Sequence, residues 1–283
     1  MHPRFQHRLR VRWAEVDAQK VVFNGHYLTY LDVAATEYWR HVGLPYPDAW
    51  ARLGCDVYVR RNTLEYHAPA QLDDWLSIGV RCARMGNSSL TLNWEARRDG
   101  QLLVSGEVVY VCVSLNDGRP CTVPASARAQ LDAYEATQPC WLTHLGDWRA
   151  LGEQAAAVRR AVFIEEQGIA ESEEWDDDDA RAHHVVVTNL DGWAAATGRL
   201  IPDETPGRAR IGRMAVMRCA RGVGLGRKVL EALVDQARAI GRPQLSLHAQ
   251  CSAQALYESA GFQPVGEVFD EVGIPHRKMV LTL

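Results

Sequence analysis

Arg221-Gly222-Val223-Gly224-Leu225-Gly226 follows an apolar, strand-like run, Ile211 to Val216, and opens an amphipathic helix from Leu225 to Ile240. A glycine-rich turn at a helix N-terminus lets backbone N–H groups approach an anion closely. The helix dipole favours negative charge at the same place. The pattern therefore predicts a strand–loop–helix unit that holds a pyrophosphate. Two common loops of this kind do not fit. A Walker loop closes with Gly-Lys-Ser/Thr, whereas Gly226 is followed by Arg227-Lys228-Val229. A dinucleotide fingerprint needs G-x-G-x-x-G, and glycines at 222, 224 and 226 misplace the third.

The remaining reading comes from the surroundings. Val162 to Gly168, Gly198-Arg199-Leu200 and Ile211 to Val216 precede the loop. Leu247-His248-Ala249-Gln250, Leu256 to Phe262 and Gly273-Ile274-Pro275-His276 follow it. Together with the Arg-x-x-Gly-x-Gly loop, the segment from about Trp148 to Leu283 resembles the GNAT superfamily of acyltransferases. The resemblance implies that Arg221, Gly222, Val223, Gly224, Leu225 and Gly226 bind the pyrophosphate of acetyl-CoA. It implies that the backbone of Met214, Ala215 and Val216 binds the pantetheine arm and polarises the acetyl carbonyl. Tyr257 matches the family's general acid, and a phenol of pKa ~10 suits protonation of a thiolate. A packed core aromatic beside Leu256 and Phe262 is the other reading of Tyr257. For the general base, Glu166, His183, His184 and His248 stay open, as does ordered water.

The chain has 283 residues, comfortable for two domains, with 47% hydrophobic and 23% charged residues, the balance of a globular protein. Net charge is −4: residues 1–140 hold 15 basic and 15 acidic side chains, and residues 141–283 hold 16 and 20. Neither half has the basic surplus of a nucleic-acid binder. No apolar run reaches the ~18 residues that cross a bilayer, and Met1-His2-Pro3-Arg4-Phe5 lacks a signal-peptide core. Seven scattered cysteines without a Cys-x-x-Cys pair predict reduced thiols in a cytoplasmic protein, with no zinc site or other metal.

The Ala-rich stretch Pro124 to Ala136 predicts a closing helix, and Pro139 breaks it. The expected domains are therefore 1–140 and 141–283, with the boundary between 136 and 147. In the first half, Leu9, Val11 and Trp13 alternate as in a strand. Tyr27, Leu31, Ala34, Ala35, Tyr38 and Val42 recur at helical spacing, predicting one helix over Gly25 to Val42 with Asn24 as its N-cap. Four strand-like stretches follow: Cys55 to Tyr66, Trp75 to Arg84, Ser88 to Arg98 and Gln101 to Leu115. One long helix among five antiparallel strands is α+β.

Glu15-Val16-Asp17-Ala18-Gln19, Val22 to Tyr27, Tyr30-Leu31, Leu64 to Pro69 and Ser105-Gly106 sharpen this reading. From about Phe5 to Tyr134 the chain resembles the hydroxybenzoyl-CoA thioesterase-like hotdog family, in which a sheet wraps one long helix. The resemblance places Asp17 at the catalytic carboxylate position, as base or nucleophile. Backbone N–H groups of Asn24 and Gly25 then polarise the thioester carbonyl at the positive helix end. The competing role for Asp17 is to satisfy loop amides. Glu15 reads as structural or exposed, and His67 as a strand-end residue. The chain departs from the family at Lys20 and Val21, where members commonly carry Gly and often His. Contact with a CoA phosphate and an altered acyl preference are both open for Lys20. The resemblance also implies a homodimer or homotetramer built through hotdog sheets.

Glu171 to Asp179 contains seven acids in nine residues. It predicts either a field that attracts a cationic amine acceptor or a plain solvated loop. The whole reads as a hotdog acyl-CoA thioesterase fused to a GNAT N-acetyltransferase, the second fold a mixed sheet flanked by helices. Acyl-CoA and acetyl-CoA are expected as substrates, and no cofactor is expected to be tightly bound. One active half with a degenerate acyl-CoA-binding half, or a non-catalytic sensor, are the alternatives.

Overall fold

A computed structural model describes residues 3–283, and these divide into two compact units, 3–140 and Trp141–Leu283. In the first unit Tyr27, Tyr30, Leu31, Ala34, Tyr38 and Trp39 share one face of helix α1 (His26–His41), and all are buried. That stripe packs on a five-stranded sheet: β1 (Phe5–Arg10), β2 (Cys55–Tyr66), β3 (Trp75–Met85), β4 (Ser89–Arg98) and β5 (Gln101–Ser114). The strands run antiparallel in the order β1-β3-β4-β5-β2. Register shifts near Val59, Cys82 and Ala96 let the sheet bend, as bulges do. Two shorter helices, α2 (Asp48–Arg52) and α3 (Ala125–Glu135), complete the unit.

Two sequence expectations need correction here. Trp13 lies outside β1, in a 3₁₀ turn, and is 80% exposed; Phe5 supplies the apolar strand position instead. Gly25, not Asn24, caps α1, and no side chain caps it. The entry to α1 is tightened by Tyr27 N–H donating to the Asn24 carbonyl and Leu28 N–H to that of Gly25, so the Asn24 side chain is not recruited.

The second unit is a seven-stranded mixed sheet. Its strands are β6 (Trp141–Gly146), β7 (His183–Asn189), β8 (Ala194–Pro202), β9 (Arg208–Val216), β10 (Gln244–Gln250), β11 (Gln263–Glu271) and β12 (Ile274–Thr282). They are ordered β11-β12-β10-β9-β8-β7-β6, and β9 with β10 is the parallel pair. Helices α4 (Trp148–Arg159) and α6 (Leu225–Ala239) pack on β7 and β8. Ala215 belongs to the core cluster with Ala155, Val158 and Val162 of the α4 segment. Its neighbour Met214 meets the Gly198 position, where an added Cβ would come within 2.7 Å of Val229 on α6. Successive strand residues point to opposite faces, so helices cover both sides of this sheet. The 2.7 Å approach explains why residue 198 has no side chain.

Beyond α4 the chain makes a π-helical turn, Arg160–Glu166, and short helices α5 (Glu171–Glu174) and α7 (Gln254–Ser259) follow in order. The acidic run brings a third correction, because it is largely neutralised from within. Buried Arg159 binds Glu174 and Asp179, and buried Arg199 binds Asp176 and Asp179. Arg213 reaches Glu174 and Asp176, Arg210 and Arg181 share Asp178, and Arg160 takes Glu171. Burial nonetheless raises the Glu174 pKa, whereas for Asp176 the bonds from Arg199 overcome burial and lower it. The run is a knot that fixes the segment after α4 to β8 and β9. It is not an open negative field.

Candidate active sites

The loop before α1 is a miniature hairpin. Asp17 N–H donates to Val21, Lys20 N–H to Asp17, and Val16 bridges Val22. Lys20 sits at its tip with φ 62°, in the left-handed region that suits glycine. Glu15 anchors the base. It is buried, accepts from the backbone N–H and guanidinium of Arg12, and accepts from the Tyr30 hydroxyl at 2.7 Å. Burial alone would raise its pKa, but the Arg12 and Tyr30 hydrogen bonds win and hold it below the ordinary value. Its carbonyl receives Phe23 N–H, which sets the approach to α1.

Asp17, Asn24 and Tyr27 line one cleft of about 690 Å³ with Tyr66 and His67. Asp17 Oδ1 accepts the Gln19 N–H at 2.7 Å, so part of this carboxylate does satisfy the loop. Among the described residues Oδ2 has no partner. The backbone N–H groups of Asn24 and Gly25 also find no acceptor among the described residues, although the neighbouring Phe23, His26 and Tyr27 N–H groups do. The Asn24 carbonyl is held by the Tyr66 hydroxyl at 3.3 Å. His67 Nε2 lies 2.9 Å from Ser105 Oγ, and His26 stands outside the cleft lining. Lys20 faces a neighbouring cleft with Trp13 and Leu72. The Tyr66 contact went unread in the sequence because Tyr66 and Asn24 are 42 residues apart.

In the second unit the parallel pair β9–β10 holds for only three residue pairs, ending at Ser246↔Arg210. Beyond that point the strands part, and a cleft of about 430 Å³ opens between them. Met214 of β9 and Tyr257 of α7 line it, with His248, His276, Arg213 and Glu271. A bulge between Thr197 and Arg199 opposes Arg213 and Met214 to one residue of β8, and Arg213 takes φ 50°. Tyr257 is 7% exposed, and its hydroxyl has no partner among the described residues. Burial pushes its pKa up to about 12, so it stays protonated at neutral pH. Its ring also meets Phe262 edge-on at 6.2 Å, so it is packed as well as cleft-lining.

At the end of β9 the loop Arg221 to Gly226 leads into α6. Gly222 and Gly224 take φ 91° and 84°, and Gly224 caps the helix. None of the N–H groups from Gly222 to Arg227 has an acceptor among the described residues. The Arg221 guanidinium is engaged by both oxygens of Glu166 at 2.7 Å and by the Val216 carbonyl at 3.1 Å. Arg221 thus braces the loop. Its bond to Glu166 also holds the Glu166 pKa below its ordinary value and engages both of its oxygens. His184 is buried at 3.0 Å from the Asp179 carbonyl, and burial lowers its pKa. His183 contacts Gln236, and neither histidine lines the cleft.

The description "Thioesterase superfamily" matches residues 19–105, and "Acetyltransferase (GNAT) domain" matches residues 151–283. The chain is similar to the acyl-CoA thioester hydrolase YbgC of Escherichia coli, 33% identical over 127 residues, covering 44% of this chain and 94% of that protein. It is similar to YyaT, an uncharacterized protein of Bacillus subtilis, 32% identical over 127 residues, covering 44% and 83%. A solved thioesterase from Thermus thermophilus, complexed with coenzyme A and Zn, is 28% identical over 47% of this chain and 95% of its own, with a TM-score of 0.41. The chain therefore belongs to the thioesterase superfamily through its first unit and to the GNAT acetyltransferases through its second.

Proposed function

We propose that the chain is a bifunctional acyl-CoA enzyme, hydrolysing acyl-CoA thioesters in the first unit and moving acetyl from acetyl-CoA to an amine in the second. The observation that carries the hydrolase reading is the pairing of Asp17 with two N–H groups at the positive end of α1, one Asp17 oxygen and both N–H groups having no partner among the described residues. Asp17 activates water or attacks the carbonyl, and Asn24 and Gly25 N–H groups stabilise the oxyanion. YbgC bears the name of the same activity. For transfer, unpaired N–H groups at residues 222–227 receive the pyrophosphate. The opened β9 edge at Met214, Ala215 and Val216 receives the pantetheine arm, and Tyr257 protonates the departing thiolate.

The partner of the first unit is a second copy of the chain. β2 is an edge strand, and a long edge needs cover. Its last residue, Tyr66, already borders the Asp17 cleft, so pairing there brings a partner beside the site. A cytoplasmic location is consistent with seven free cysteines. With most acids of the run paired, attraction of a cationic amine falls to Glu173 and Glu271, which line the transfer cleft.

The test is a panel of acyl-CoA thioesters of increasing chain length, followed by free-thiol release with and without amines. Asp17→Asn is expected to cut amine-independent release at least ~100-fold, the scale of lost base or nucleophile. Release unchanged in a folded Asp17→Asn protein overturns the hydrolase assignment.

A further inference from the structure

His248 Nδ1 lies 3.0 Å from Oε2 of Glu271, and both side chains line the cleft that Tyr257 faces. A carboxylate only accepts, so Nδ1 carries the hydrogen, and in the neutral ring the lone pair is on Nε2. His248 stands two residues past Ser246, the last β10 residue paired with β9, at the mouth of the opened gap. Phe269 meets its ring edge-on at 4.9 Å and limits its rotation.

Glu271 is delivered by a hairpin tip. β11 ends at Glu271, and Val272 and Gly273 turn the chain with φ 54° and 76°. A β-branched residue in the left-handed region is strained, and strain of this kind persists only where the surroundings fix it. Here Gly273 N–H donates to Asp270 Oδ1 at 2.9 Å and locks the turn. His276 also lines the cleft, but its Nδ1 is 2.8 Å from the neutral Ile274 carbonyl. A carboxylate stabilises an imidazolium more than a carbonyl does.

We propose that His248, oriented by Glu271, is the general base of acetyl transfer and accepts a proton from a primary ammonium group. This rests on the acetyltransferase reading above. Nε2 takes one proton from the ammonium, and the neutral nitrogen attacks the thioester carbonyl. The C–N bond forms, the C–S bond breaks, and the thiolate takes the Tyr257 proton. The second nitrogen proton restores Tyr257, and the imidazolium releases its proton to solvent. The other ionisable groups lining this cleft are Glu173, Glu174, Asp176, Arg199, Arg210, Arg213 and His276, with Glu174 and Asp176 held in ion pairs by arginines.

The experiment uses the full chain, acetyl-CoA, and benzylamine or aniline as probe. Benzylamine is charged at pH 7 and needs a base; aniline is already neutral. His248→Gln and His248→Ala are expected to slow transfer to benzylamine ~100-fold and to aniline less than ~5-fold, with acetyl-CoA affinity unchanged by calorimetry. His276→Gln is expected to cost benzylamine transfer less than ~5-fold. Nitrogen-15 NMR is expected to show the Nδ1–H tautomer of His248, lost in Glu271→Ala. Near-native benzylamine transfer in both His248 variants, or equal losses with the two amines, overturns the proposal. An unaltered tautomer in Glu271→Ala overturns the orienting role. A wild-type chain that binds acetyl-CoA yet acetylates neither probe overturns the primary-ammonium assignment. Failure to bind acetyl-CoA at all overturns the acetyltransferase reading itself.

Discussion

Glu15 shows how one buried side chain can hold the loop before α1 in place. It receives a hydroxyl, a guanidinium and a backbone N–H, and its own carbonyl orders Phe23 just before Asn24. Its folded pKa lies below the ordinary value, so folding favours the ionised form. The stability it adds is complete above ~4.3 and is lost as pH falls through the lower folded value. Glu15→Gln should lower the thermal transition of the first unit by about 4 °C at pH 7. The gap should narrow as pH drops below ~4, where wild type loses the same charge. Calorimetry that finds no gap at pH 7 would remove Glu15 as the anchor. Tyr257 makes the complementary case. Its buried phenol has a raised pKa, and it lines the cleft with no hydroxyl partner among the described residues. Tyr257→Phe should reduce kcat for transfer ~10- to 100-fold and leave acetyl-CoA affinity nearly intact. Full transfer by that variant would leave Tyr257 only its packing against Phe262.

At the scale of elements, what the sequence disclosed follows contact range. The α1 stripe is periodic, and five of its buried residues, Tyr27, Leu31, Ala34, Ala35 and Tyr38, are read directly from spacing. The loop Arg221 to Gly226 is equally local, since its φ values and free N–H groups are set by adjacent residues. The acidic run was legible only as charge, because Arg159 and Arg213 reach Glu174 from 15 and 39 positions away. Glu271 escaped notice because its partner His248 lies 23 positions earlier. An added Cβ at Gly222 or Gly224 would meet no atom of the chain within 4 Å, so steric crowding inside the protein is not the constraint. The constraint is the left-handed backbone, on which the row of N–H groups depends. Gly224→Val should therefore weaken acetyl-CoA binding by at least ~100-fold through that distortion. Glu166→Gln, which loosens the brace on Arg221, should weaken it only ~5-fold, since the N–H groups survive. Calorimetry on both variants separates the effects, and native affinity in Gly224→Val would refute the pyrophosphate assignment.

For the whole molecule, the decisive place is the passage from Cys140 to Trp141. Pro139 reads in the sequence as the middle of a breakable linker, yet residues up to Cys140 are tied to the first unit. The buried Gln130 side chain donates to the Cys140 carbonyl at 2.6 Å, and the Cys140 thiol points back to the Gln130 carbonyl. Trp141, the next residue, already pairs with Asn189 at the start of β6. A cut at Ala136 removes the Cys140 carbonyl that accepts from Gln130, and the loss of one such hydrogen bond costs about 0.5–1.5 kcal/mol. A cut after Cys140 keeps that bond. If the units are independent, the fragment ending at Cys140 should fold, dimerise and hydrolyse acyl-CoA at the rate of the full chain. The fragment ending at Ala136 should melt several degrees lower, by about 4–8 °C per kcal/mol lost. Sedimentation and thiol release on the two fragments decide the matter. A folded but monomeric fragment ending at Cys140 would place dimerisation outside the hotdog sheet. Equal melting of the two fragments would show that the Gln130–Cys140 bond contributes nothing and that the unit closes earlier, at the end of α3.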